Sequence, residues 1–179
     1  MPSARVWPAA EPLTSTRLLL EPLRPGHADE AVVMLSDTDL YTFIGGNPPT
    51  ASMLRARYER QVAGQSPAGD QGWLNWMLRD RETGELAGTV QATLFVPPGT
   101  TGDGGRMTAE LAWIIGTTYQ GRGLATEAAR AVMAWLTGRG AVRFQAHVHP
   151  GHAASERVAR HLGLRPTSVQ VDGETQWTS

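Results

Sequence analysis

One stretch limits what this chain can become more than any other. Between Arg106 and Gly140 it reads RMTAELAWIIGTTYQGRGLATEAARAVMAWLTGRG, and its apolar residues change period partway along. Met107, Ala109, Leu111, Trp113 and Ile115 alternate with Thr108, Glu110, Ala112 and Ile114, which predicts a strand with two distinct faces. After the turn from Gly116 to Gly123, the residues Leu124, Ala128, Val132, Trp135 and Leu136 fall on one helical stripe, with Glu127, Arg130 and Thr137 off it. Gly138 and Gly140 supply a stop. A strand that enters a helix through a glycine turn presents free backbone N–H groups at the positive end of a helix dipole, a place suited to phosphate.

The turn itself is Gln120-Gly121-Arg122-Gly123-Leu124-Ala125, with an arginine placed to pair with a second phosphate oxygen. A nucleoside-triphosphate loop needs a Gly-Lys-Ser/Thr ending, which is missing. A dinucleotide fingerprint needs a small residue where Thr126 stands and an acidic residue at the end of the next strand, where the chain has His147 and His149. Neither phosphate loop fits.

The rest of the chain supplies an order of elements. Residues 1–12, with Pro2, Pro8 and Pro12, read as a flexible tail, and 13–179 as one domain. A strand is expected over Arg17–Leu23, a helix from Pro25 to Leu35, a shaped loop over Asp37–Thr50, and a second helix capped by Thr50 over residues 51–64, with Met53 or Leu54, Tyr58 and Val62 facing inward. Strands follow over Gly72–Arg79 and Glu85–Val96, then an exposed loop from Pro97 to Gly105. After the central strand and helix come a strand over Val142–Val148, a helix over Ala153–Leu162, and a hairpin over Pro166–Trp177 that turns at Asp172-Gly173. The fold class is α+β, layered α/β/α, with a mixed and mostly antiparallel sheet of six or seven strands and about four helices.

Composition excludes several functions. A formal charge of -1 gives no basic field for nucleic acid. The six tryptophans read as core and cleft lining rather than stacking platforms, since no basic groove accompanies them. With no cysteine there is no thiolate zinc site and no cysteine-bound acyl intermediate. His147, His149 and His152 lack the carboxylate or thiolate that would complete a metal site, so no metal is expected. No apolar run suits a signal peptide or a membrane span, so the expectation is a cytoplasmic protein with no membrane partner.

The segment Gln120–Ala125 matches, at every specified position, the Gln/Arg-x-x-Gly-x-Gly/Ala pyrophosphate loop of the GNAT superfamily of acyl-CoA-dependent N-acyltransferases. Ala-Glu-Leu-Ala-Trp-Ile-Ile before it resembles that family's fourth strand, and the order of elements agrees over about Thr16 to Trp177. The resemblance implies an N-acetyltransferase that moves an acetyl group from acetyl-CoA, as cosubstrate, to a primary amine in a ternary complex. By the same resemblance, Glu110 is the general base, the Ile114 amide holds the thioester oxygen, Ile115 and Gly116 pair with the pantetheine arm, and Gln120, Gly121, Arg122, Gly123, Leu124 and Ala125 hold the pyrophosphate. Tyr41, Phe43 and Tyr58 become candidate substrate contacts, or else plain core aromatics. The tyrosine that many members carry in the last helix is replaced here by Ala159, and Ser155 one turn earlier resembles the RimJ/RimL-like branch, in which a serine serves as acid and coenzyme contact.

That branch has asparagine where this chain has His152, a candidate coenzyme contact. Bland readings stand beside these: Glu110 as a salt-bridged strand residue and Ser155 as a helix cap. Acceptor classes left open are a protein N-terminus, a free amino acid or polyamine, and an aminoglycoside-type drug. The last two favour clustered acidic residues, and Asp29, Glu30, Asp37, Asp39 and Glu59 form no obvious cluster. Family members are often dimers, so a homodimer is compatible with the resemblance. The alternative from another class is a non-catalytic module of the same fold that binds or senses coenzyme A.

Overall fold

The computed structural model describes residues 5–99 and 106–179, so 1–4 of the expected tail and 100–105 of the expected Pro97–Gly105 loop lie outside the described residues. Among the described residues eight strands form one sheet: β1 (Leu13–Thr14), β2 (Leu18–Pro22), β3 (Gly72–Asp80), β4 (Leu86–Phe95), β5 (Met107–Ile115), β6 (Ala141–Val148), β7 (Arg165–Val171) and β8 (Glu174–Thr178). Their order is β1-β2-β3-β4-β5-β6-β8-β7, and β5–β6 is the parallel pair in an otherwise antiparallel sheet. The strand beyond the expected seven is β1, a two-residue edge piece.

A parallel pair needs a crossover. Here it is α4 (Leu124–Thr137), whose Leu124, Ala128, Val132 and Leu136 are fully buried, with Ala125 and Ala129 buried beside them and Trp135 of the expected stripe only partly so. The alanines let the helix approach β4, β5 and β6 closely, and α5 (Ala153–His161) packs beside it. The opposite face of the sheet carries α1 (Ala28–Met34) and α3 (Ala51–Gln61), with Leu54 and Tyr58 of α3 buried against Ala28, Ala31 and Met77, and the four-residue α2 (Tyr41–Ile44) lies between them in the chain. Thr50 caps α3 as expected, its Oγ1 accepting from the Met53 amide. Leu54 rather than Met53 faces inward, and Val62, expected to be buried, is exposed. The fifth helix, α2, falls inside the segment expected to be a loop; the N-terminal Asp37 side chain accepts from the Asp39 amide to start the turn that leads into it.

Trp7, within the stretch read as a tail, lies against the domain: its Nε1 donates to Gly69 O at 3.0 Å, and its ring occupies the space a Cβ at Gly72 would need. No helix among the described residues is long and apolar enough to cross a membrane.

A polar cluster fixes α1 to the sheet. Arg79 on β3 donates to both oxygens of Glu21 on β2 and to Glu30 on α1, and buried His27 accepts the Arg24 amide at Nδ1 while its Nε2 meets Glu21 at 3.1 Å. The hydrogen bonds from Arg79 hold the Glu21 carboxyl below its ordinary value. Burial holds the His27 imidazole below its ordinary 6.5, against the pull of Glu21 in the other direction. Because the folded state gives up the His27 proton more readily than the unfolded chain, the unfolded chain binds more protons as pH drops below about 6.5, and stability falls with it. Thermal melts from pH 7.5 down to 5 should show this loss, and a His27→Gln variant should flatten it above pH 5; an unchanged slope in the variant would place the effect elsewhere.

Candidate active site

The site is built where one ladder of hydrogen bonds ends. β5 pairs with β4 along its whole length, from Phe95↔Thr108 to Gly88↔Ile115, but its parallel pairing with β6 stops at Glu110↔Gln145. Beyond that point β6 is taken up by β8, from Gln145↔Thr178 to Val148↔Thr175. Leu111 to Ile115 therefore borders a gap between two splayed strands.

Strand geometry decides which peptides face this gap. Gly116 N donates to Ala87 O, and the register is unbroken, so on an antiparallel ladder the Ile114 peptide points to β4 as well. A Cβ on Gly88 would run into Ile114 O, which agrees. The peptides with the other parity, Trp113 and Ile115, face away from β4 and into the gap, and Ile115 O accepts from Gln120 Nε2 at 3.0 Å. Two expectations are thereby corrected: the amides of Ile114, expected at the thioester oxygen, and of Gly116, expected at the pantetheine arm, are turned to β4, and among the described residues the β5 amides beyond Glu110 that face the gap are those of Trp113 and Ile115.

The glycine turn lies at the end of the gap. Gly121 and Gly123 both take left-handed backbone angles (φ 74° and 76°), a conformation that favours glycine, and Gly123 is the N-cap of α4, with no side-chain cap among the described residues. Gln120, expected at the pyrophosphate, uses its side-chain amide to tie the turn to β5. Arg122 lies over the Tyr119 ring and 3.4 Å from Asp80 Oδ2, a carboxylate that is 2 % exposed at the end of β3.

Arg17 buttresses the same turn, donating to Arg122 O at 2.8 Å and to Glu127 at 2.7 Å. Partial burial pushes the Glu127 carboxyl up, but hydrogen bonds from Ser15 and Arg17 bring it below its ordinary value. Neither Arg17 nor Asp80 was among the residues singled out by sequence reasoning. Each lies far along the chain from the turn it supports.

Glu110 stands where β5 and β6 part, on the face of the sheet that carries α1–α3. Its carboxylate is 37 % exposed, accepts from Gln145 Nε2 at 2.8 Å and lies 3.1 Å from His147 Nδ1. The buried His147 Nε2 has no hydrogen-bond partner among the described residues. Parallel pairing sets Gln145 beside Glu110 and places His147 one step further along the same face. The carboxylate is thus oriented from β6 and open on its other side.

The candidate substrate aromatics separate. Tyr58 is 5 % exposed, packs among core residues, and burial pushes its phenol up. Tyr41 Oη donates to Leu35 O, an internal tie. Phe43 lies at the open end of the gap, 4.2 Å edge-on from His152 and 5.6 Å from His149. A hydrogen bond from Thr117 Oγ1 to Asp37 Oδ2, 2.7 Å, fixes the approach to α2 against the end of β5.

At the start of α5 the capping role belongs to His152, whose Nδ1 accepts from the Ser155 amide at 3.0 Å. The half-buried Ser155 hydroxyl, with no hydrogen bond among the described residues, is left uncommitted. Ala159 is fully buried in the core, so no hydroxyl stands at that position. His149 Nδ1 contacts Pro150 O, and no group of three or more metal-ligating side chains occurs among the described residues.

A gap flanked by unpaired peptides, a glycine turn at a helix N-terminus and a carboxylate beside them invite comparison with known proteins. The fold resembles a Bordetella pertussis structure described as a GnaT-family acetyltransferase, with 27 % identity and a TM-score of 0.66 over 94 % of this chain and 98 % of that one. It also resembles a RimL ribosomal L7/L12 alpha-N-protein acetyltransferase in complex with coenzyme A (16 % identity, TM-score 0.74, 94 % and 97 % covered) and an acetyltransferase from Agrobacterium tumefaciens (22 %, 0.69, 98 % and 97 %). No curated protein matches it in sequence. The model of the acetyltransferase (GNAT) domain matches residues 17–165, which takes in β2 through α5 with the gap, the turn and Glu110. The chain belongs to the GNAT acetyltransferase family.

Proposed function

We propose that the protein transfers an acetyl group from acetyl-CoA to a primary amine by direct attack in a ternary complex. The observation that carries this reading is the end of the β5–β6 ladder at Glu110, with a helix-opening glycine turn at the mouth of the gap it creates. A pantetheine arm is amide-bearing and extended, so it can add to β5 as a short extra strand, bonding to the Ile115 peptide. The amides from Gly121 to Ala125 then meet the pyrophosphate at the positive end of α4, and Arg122 exchanges Asp80 for a phosphate oxygen or bridges both.

The acceptor arrives mostly protonated at neutral pH, since an α-amine has a reference pKa near 8 and a lysine near 10.4. Glu110, oriented by Gln145 and His147, takes one proton and passes it to solvent. The free amine attacks the thioester carbon, and the Trp113 amide donates to the oxygen on which negative charge develops. As the tetrahedral adduct collapses, the carbon–sulfur bond breaks and the nitrogen loses its second proton. That proton ends on the departing sulfur, through Ser155 or water. The products are an N-acetyl amide, coenzyme A as thiol, and one proton released.

Replacing Glu110 by Gln keeps the contacts to Gln145 in shape but removes the base. Turnover should fall about a hundredfold or more, with acetyl-CoA affinity by calorimetry nearly unchanged. Equal turnover across the pH range would take Glu110 out of the mechanism. Gly123→Asp puts a carboxylate at the phosphate end of the turn, and acetyl-CoA binding should weaken about tenfold or more; unaltered affinity would count against this turn. Because the chain has no cysteine, release of coenzyme A thiol can be followed without background from the protein. Binding of coenzyme A with no thiol release from any amine would identify a binding or sensing module instead.

A further inference from the structure

Glu110 does not face the sheet alone. On its side of the sheet, α3 stands off β3 and β4 and leaves a cavity of about 310 Å³. Trp73 and Asn75 of β3 and Gln91 and Thr93 of β4 line it from the sheet, and Arg57 and Arg60 from α3. The registers Trp73↔Thr93↔Glu110 and Asn75↔Gln91↔Ala112 make this floor one surface with the row that holds the carboxylate. Thr93 is the direct cross-strand neighbour of Glu110.

Two features of this cavity are left unused by the fold. Arg57 and Arg60 have no hydrogen bond or ion pair among the described residues, whereas Arg55 on the same helix pairs with Asp29, and Arg79 pairs with Glu21 and Glu30. Like charges three residues apart on a helix repel, so the pair costs a little stability. The side chains of Asn75, Gln91 and Thr93 likewise carry no hydrogen bond among the described residues, although they stand on a sheet face. Among the described residues no acidic side chain lines the cavity.

Resting on the acetyl-transfer reading above, we infer that the acceptor is an amine that also carries a carboxylate, held by Arg57 and Arg60 while the amine reaches Glu110. Along the floor that Arg57 and Arg60 overlook, from Trp73 on β3 to Glu110 on β5 is two strand spacings, about 10 Å. An extended peptide advances about 3.3–3.6 Å per residue, so the N-terminal amine of a peptide with an acidic second or third residue spans the distance. A free α-amino acid, whose amine and carboxylate sit on one carbon, falls short. Polycationic acceptors are repelled by the same two guanidinium groups.

The test is kcat/KM by thiol release for matched acceptors: short peptides that differ only in a neutral or acidic second and third residue, and, as a separate arm, hexylamine against 6-aminohexanoate. Wild-type enzyme should prefer the acidic member of a pair by about tenfold or more, mainly through KM, and the preference should shrink as salt rises. It should collapse toward unity in Arg57→Gln/Arg60→Gln and turn toward lysine-bearing peptides in Arg57→Glu/Arg60→Glu. Preference in the peptide arm identifies a protein or peptide N-terminus as the source of the chemistry, and preference confined to the other arm identifies a small aminocarboxylate. Equal rates with neutral and acidic acceptors, or a preference that survives in Arg57→Gln/Arg60→Gln, would overturn this inference and leave acetyl transfer standing. Absence of thiol release from every acceptor would remove both.

Discussion

The site depends on two strands that cannot both be satisfied by each other. β5 is held along its full length by β4, with Gly88 permitting the close approach of Ile114 and Ile115. β6 is drawn off by β8 from Gln145 onward. The parallel pairing between them therefore lapses after Glu110, and backbone groups that the rest of the sheet would satisfy are left facing a gap. Gln120 takes one of these, the carbonyl of Ile115, and in doing so fixes the glycine turn at the mouth. The gap is a consequence of strand competition rather than of any single side chain.

The sheet also divides the labour between its faces. Odd-numbered residues of β5 join the core under α4, which sets that helix's N-terminus and its two left-handed glycines at the end of the strand. Even-numbered residues face α1–α3, so Glu110 lies beside the α3 cavity rather than beside the phosphate end. A cosubstrate that enters from the α4 end and an acceptor that enters from the α3 side would thus meet at one carboxylate, which β6 holds through Gln145 and His147.

How far the chain could be read depended on whether a feature was local. The strand, turn and helix from Met107 to Thr137 were legible because the change of period lies in the residues themselves. The Thr50 cap and the Asp172-Gly173 hairpin were legible for the same reason, with φ of 50° and 82° at the latter. Ile114 was misassigned because the direction of a peptide depends on which neighbour strand claims it, and the sequence of β5 does not carry that register. Ser155 and His152 are both able to cap α5, and only the structure shows that the histidine does so. The partners of Arg122 and Glu127, Asp80 and Arg17, are separated from them by long stretches of chain, so no spacing rule connects them. Tyr58 and Phe43 look alike as sequence; burial against Met77 separates the first from the second.

Amide hydrogen exchange, followed residue by residue with and without acetyl-CoA, addresses the splayed strands most directly. The Trp113 and Ile115 amides should exchange readily in the free protein and slow when acetyl-CoA is added, together with those from Gly121 to Ala125, while Ile114, already turned to β4, should hardly change. Slow exchange at Trp113 and Ile115 before any coenzyme is added, or no change at either afterwards, would contradict this arrangement.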